Sequence, residues 1–268
     1  MRSRAENISM VIVLVAVLIG AAWYFRGTIV GAVSAGSEST ASPVSASPSV
    51  STSAQASDAA SPSPSPSSGA TVIGPGSTVA FMGDSFAAGN GASTPDLRWT
   101  TLLAAGQQWT EQNSGHPQTG YVVAGSTGNC TPTTCPAFPD VATTLAGSGA
   151  TLVIVSGGAN DLAQDPAEVG TKVQATLAAI HTSLPEAIVV VVAPWWDLRP
   201  ADDRLTAITT AIKDATAAGN ATWMDVGQPI AGKSADFAAD GFSPNDAGHA
   251  ALAEAVRQGL SQAGLLAS

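Results

Sequence analysis

Basic residues, histidines and cysteines are all scarce in this 268-residue chain. Three lysines and seven arginines face 20 acidic residues, for a net charge of −10. Such a chain has no basic patch for nucleic acid or for an anionic membrane surface. Two cysteines exclude a disulfide scaffold and a four-thiolate zinc site, and three scattered histidines argue against a histidine-rich metal centre. No motif implies a metal or an organic cofactor. Charged residues make up only 11% and hydrophobic ones 45%, so there is apolar material for a sizeable core.

That material is unevenly spread. Residues 8–25 are an uncharged apolar run that as a helix would span roughly 27 Å and cross a bilayer. Arg2 and Arg4 precede it and Arg26 follows, which favours a cytoplasmic tail at 1–7, and Trp23 and Tyr24 suit the outer interface. The run exceeds a usual signal-peptide core, and the best small-residue cleavage site, Val33-Ser34-Ala35, lies well past its end. The expectation is a single-pass cell-membrane anchor, with a cleaved secretory signal as the alternative. Either way the remainder is exported. Residues 26–70 read as a disordered spacer: positions 34–70 hold 15 Ser, 8 Ala and 5 Pro, without one Lys, Arg or aromatic residue. Such a stretch buries too little apolar surface to offset its ordering entropy.

Residues 71–268 are expected to form one folded domain. Short β-branched runs at 78–82, 151–155, 187–193 and 221–226, with a weaker one at 109–112, alternate with helical stretches at 95–108, 166–183, 200–218 and 243–266. Near-continuous apolar strands between helices suit a parallel sheet covered on both faces, an α/β doubly wound unit. Ligands bind such sheets beyond the carboxyl ends of the strands. Two glycine-led polar turns fall there, Gly83-Asp84-Ser85 and Gly158-Ala159-Asn160-Asp161. The first can lift a hydroxyl above the sheet, and the second can place an amide beside it to receive developing negative charge.

Together with Asp240 to His249 before the last helix, these blocks resemble the SGNH (GDSL-type) hydrolases, which are serine esterases, lipases and carbohydrate deacetylases. The resemblance covers about residues 78–265. It implies a three-layer α/β/α domain with a five-stranded parallel sheet in the order 2-1-3-4-5, acting on a small-molecule or glycan ester; a monomeric ectodomain is expected. It implies Ser85 as nucleophile and Asn160 as oxyanion donor beside the Ser85 N–H. A second backbone donor would come from Gly115 or Gly120, with Gly120 taken as the site residue, and Asp240 would orient the base.

The chain departs from the family where the base should be. The family motif Asp-x-x-His-Pro reads Asp240-Gly-Phe-Ser243-Pro244 here, and Ser243 looks instead like a helix N-cap, with Pro244 at the first helical position and Asp246 completing the box. His249, three residues after Asp246, is one substitute base; His116, in the loop after the second strand, is another; His181 heads away from the rim. Cys130 and Cys135 are expected to form a small disulfide pinning a rim loop. Trp195 and Trp196 follow the fourth strand and are candidate substrate-binding aromatics, or else pack against the next helix.

Overall fold

The protein is described by a computed structural model for residues 72–126, 130, 134–200 and 202–266. The expected tail, anchor and spacer (1–7, 8–25 and 26–70) lie outside the described residues. Among the described residues no helix is long and apolar enough to cross a membrane.

Five parallel strands form one sheet in the order β2-β1-β3-β4-β5: β1 Thr78–Gly83, β2 Thr110–Gly115, β3 Leu152–Ser156, β4 Ile188–Val192 and β5 Thr222–Met224. The period-two alternation of strand side chains sorts them onto two faces. Val79, Phe81, Leu152, Ile154, Val190 and Val192 face one core, and Ala80, Met82, Val153, Val155, Val189 and Val191 face the other. The first core is closed by helices α2 (Trp99–Gly106) and α6 (Asp246–Gln262). The second is closed by α3 (Phe138–Thr143), α4 (Pro166–Ser183) and α5 (Asp203–Ala218). A one-turn helix, α1 (Ser85–Ala88), follows β1 directly. The architecture is thus the expected three-layer α/β/α sandwich.

Capping explains where the helices begin. Helix α4 starts at Pro166 because Asp165 accepts the Ala167 N–H at 2.9 Å, and its buried Val169, Val173, Leu177 and Ile180 form one stripe at helical spacing. The run expected as a helix over 95–108 is broken: Arg98 is extended, separating a 3₁₀ turn at Pro95–Leu97 from α2. The last helix also starts later than expected, with Asn245 as its cap, accepting from the Ala247 and Gly248 N–H groups at 3.0 and 3.1 Å. Ser243 is not the cap; its hydroxyl is committed elsewhere, and Pro244 pairs in an isolated bridge with Phe237.

Ile154 is fully buried in the middle of the central strand. Replacing it with Ala is expected to lower unfolding free energy by about 2–5 kcal/mol, measured as the shift in urea midpoint at constant m.

Candidate active site

The turn after β1 is fixed by close backbone approach. Gly83 is in register with Gly115 on one side and Ser156 on the other, and a Cβ at position 83 would lie 2.2 Å from the Ser156 carbonyl oxygen. Glycine is therefore required there. Asp84 then caps α1, its Oδ1 accepting the Phe86 N–H at 3.0 Å. This places Ser85 at the first helical position, half-buried on the carboxyl-end rim of the sheet. The Ser85 Oγ accepts the backbone N–H of Gln118 at 2.9 Å.

Gln118 belongs to the loop after β2, which several bonds hold against the serine. The His116 N–H donates to the Gly83 carbonyl at 2.9 Å, and the Thr119 hydroxyl donates to the His116 carbonyl at 2.7 Å. Asn160 donates Nδ2–H to the Thr119 carbonyl at 2.8 Å. Asp161 accepts three successive N–H groups, from Tyr121 at 2.7 Å, Val122 at 3.1 Å and Val123 at 3.0 Å. Ser85 and Asn160 thus bind adjacent residues of one loop. Gly120 does not serve the serine: its N–H is donated to the Val123 carbonyl at 2.8 Å, and its missing Cβ makes room for the Asp161 carboxylate. Gly115 is likewise engaged, its N–H on Asn113 Oδ1 at 2.9 Å. The backbone N–H that does reach the serine is that of Gln118, whose φ of 61° is a left-handed conformation usually held by glycine. A glutamine gives no such signal in a sequence.

The C-terminal block comes to the same end of the sheet. Ser243 donates its hydroxyl to Asp240 Oδ2 at 2.8 Å, and the Ser243 and Phe242 N–H groups both reach Asp240 Oδ1 at 2.9 Å. These backbone bonds, Ser243 first, hold the Asp240 carboxyl below its ordinary range. A Cβ at Gly91 would lie 2.8 Å from Ser243 Cβ, so the pair packs on the segment following α1, where the Asn90 N–H donates to the Ser85 carbonyl at 2.9 Å.

His249 is not placed as a base. It is fully buried; its Nδ1 accepts the Trp99 N–H at 3.3 Å and its Nε2–H donates to the Asn90 carbonyl at 3.0 Å, roles assigned from these partners. Both nitrogens serve backbone groups, and neither is left for a serine proton. Asp246 receives the Ser93 N–H and hydroxyl at 2.7 and 2.8 Å. His181 Nε2 contacts the Gly219 carbonyl at 3.1 Å, at the end of the sheet opposite the rim.

The two tryptophans are buried rather than presented. Trp195 packs edge-on against Trp99 and stacks with Phe86, inside the first core. Trp196 donates Nε1–H to the Arg199 carbonyl at 2.9 Å and is covered by the Arg199 guanidinium, 4.5 Å from its ring centre. That guanidinium also faces Phe242, which is 52% exposed beside Ser243. Cys130 and Cys135 form the expected disulfide. With His116 they are a clustered set of potential metal ligands among the described residues, but oxidised sulfurs supply no thiolate, and the set does not fit a metal.

The sequence profile of the GDSL-like lipase/acylhydrolase family matches residues 81–251. A GDSL lipase of Mycobacterium tuberculosis is 28% identical over 192 residues, covering 66% of this chain and 79% of that protein. Among solved structures, the aryl esterase of M. smegmatis aligns with a TM-score of 0.54 at 18% identity, over 71% of this chain and 100% of its own. The carbohydrate acetylesterase Est24 of Sinorhizobium meliloti aligns with a TM-score of 0.54 at 16% identity, over 70% of this chain and 99% of its own. At such identities the two structures establish the shared fold.

Two buried carboxyls, Asp84 beside Ser85 in the chain and Asp161 under the loop, act on each other here. Burial pushes Asp84 up to about 7, against the pull of the Phe86 N–H and with a further push from Asp161. Burial also raises Asp161, against its three N–H donors. A carboxyl raised on folding binds its proton more tightly in the native state, so its contribution to stability is full below about pH 3.8 and is lost as pH rises through about 7. Asp84→Asn keeps a capping oxygen and removes the charge. The variant is expected to gain stability over the parent between pH 5 and 8, by on the order of a few kcal/mol at pH 8, read from urea midpoints at the two pH values.

Proposed function

Because the chain belongs to the GDSL-like lipase/acylhydrolase family, we propose that its α/β domain is a serine esterase cleaving carboxylic esters or O-acetyl groups through Ser85. The observation that carries this reading is the Gln118 N–H at 2.9 Å from Ser85 Oγ, with Asn160 bonded to the next residue of the same loop. Attack by Ser85 Oγ on an ester carbonyl moves an electron pair onto the carbonyl oxygen. The donors we assign to that oxygen are the N–H groups of Ser85 and Gln118 and the Nδ2–H of Asn160 that Thr119 does not hold. Donors fixed before the reaction need no reorganisation as charge develops, which makes such an oxyanion site effective. The alcohol leaves, and water releases the acyl group from Ser85 by the same route.

The esters we assign are small. The names of the aryl esterase and the carbohydrate acetylesterase are consistent with that range. We further propose that residues 8–25 anchor the domain in the cell membrane, with 26–70 as a spacer on the outer side. The disulfide supports an oxidising, exported setting.

Hydrolysis of p-nitrophenyl acetate by the full chain tests the reading. Ser85→Ala is expected to reduce the rate to background, and Asn160→Ala to lower kcat by about 10²–10³. Equal rates in the parent and Ser85→Ala would leave a catalytically silent binding module, the reading that Ser243 in the base position favours.

A further inference from the structure

An esterase of this kind needs a group to take the serine proton, and the position where the family keeps one is filled by Ser243, a hydroxyl already donated to Asp240. A serine hydroxyl is not a base at neutral pH. The chain has three histidines. His249 has both nitrogens on backbone partners inside the core, and His181 lies against Gly219 away from the rim. His116 differs from both in every respect that matters here.

His116 is half-buried on the rim, and its N–H is bonded to the Gly83 carbonyl two residues before Ser85. It stands two residues ahead of Gln118, whose N–H touches the serine oxygen. Two residues of chain span at most about 7 Å, which keeps His116 on the same short rim segment as that oxygen; its ring makes no direct bond to Ser85, and the proton would pass through a water, a relay over which general bases work. Its Nδ1 lies 3.4 Å from Cys130 Sγ. With Nδ1–H toward the sulfur, the Nε2 lone pair is free. The disulfide loop is itself clamped to this segment: the Gly125 N–H donates to the Cys135 carbonyl at 2.9 Å, and a Cβ at Gly125 would lie 2.5 Å from the Pro117 carbonyl oxygen.

Resting on the serine-esterase reading above, we propose that His116 is the general base of this enzyme, oriented by the Cys130–Cys135 disulfide in place of a carboxylate. In acylation the Ser85 O–H bond breaks and its proton passes to His116 Nε2 as Oγ bonds the carbonyl carbon. The tetrahedral species then collapses, the carbon–oxygen bond to the alcohol breaks, and His116 Nε2–H protonates the departing oxygen. Water repeats the sequence on acyl-Ser85. Burial holds His116 below the ordinary histidine range, so it is neutral and able to accept at pH 7. Asp84, next to Ser85 in the chain, and Asp161, which holds the loop, are buried carboxyls at this end of the sheet, and burial alone accounts for the lowered His116.

The test uses the full chain and p-nitrophenyl acetate. His116→Gln is expected to lower kcat by about 10²–10⁴ with KM little changed, and to abolish the fall in kcat/KM below pH 6.5 that the parent should show. His116→Ala should recover activity in added imidazole, and Ser243→His in the His116→Gln background should restore turnover from the Asp240 side. His181→Gln should leave the rate unchanged. If His116→Gln keeps activity within threefold of the parent, or loses it while the acidic limb persists, the assignment is overturned. Loss in Ser85→Ala alone would then leave the esterase reading standing, whereas no loss in Ser85→Ala would remove that reading first.

Discussion

One buried carboxylate sets the position of everything opposite the nucleophile. Asp161 collects the N–H groups of Tyr121, Val122 and Val123, the first on a buried residue and the other two on half-buried ones, and it does so from a turn that β3 places beside β1. A carboxylate accepting several backbone bonds is held rigidly because each bond constrains the same two oxygens. The loop from Gln118 to Val123 therefore cannot shift independently of β3. Since β3 and β1 are adjacent in the sheet, the distance between Ser85 and its backbone donor is set by the hydrogen-bond ladder. Asn160, the preceding residue, makes the same attachment from the solvent side.

How much of this was readable from the chain depends on what each residue answers to. The central strands β3 and β4 are buried along nearly their whole length, and burial on both faces selects an apolar run that needs no context to recognise. Strand β2 is polar, Thr-Glu-Gln-Asn-Ser-Gly, because it lies at the sheet edge and packs on one side only; its signal is correspondingly weak. Helix α4 was legible to the residue through Asp165 and Pro166, local features that act on their own neighbours. Helix α3 was not, being six residues long with no side-chain cap. The site followed the same division. Ser85 and Asn160 stand in turns whose glycines announce them, whereas Gln118 contributes only its backbone. Its role depends on a φ angle and a neighbour 33 residues away, and neither is written in its side chain.

The histidines illustrate how a motif can survive while its chemistry moves. Asp246 and His249 keep the spacing of an acid and a base, yet the helix begins at Asp246 and turns His249 inward, where it joins the backbone of the Asn90 segment to that of Trp99. In the position that matters, Ser243 keeps the hydrogen bond to Asp240 that an imidazole would make and offers no basic nitrogen. The tryptophans followed the same logic: the apolar core under β4 claimed Trp195, and Arg199 covered Trp196. What is left exposed on that side is Phe242.

The polar edge strand has a consequence for how such domains behave when crowded. An open edge of a parallel sheet is a row of unpaired peptide groups, ready to accept the same edge from another copy. Along β2 that edge bears Glu111, half-buried and engaged by the Thr101 hydroxyl at 2.7 Å and by Arg98 at 3.5 Å. A second strand laid alongside would bring an identical Glu111 toward a charge already fixed in place, and would strip water from Thr110 and Gln112, both exposed. Copies held side by side at high local density would thus find little to gain by pairing along the β2 edge, one of the two edges of the sheet.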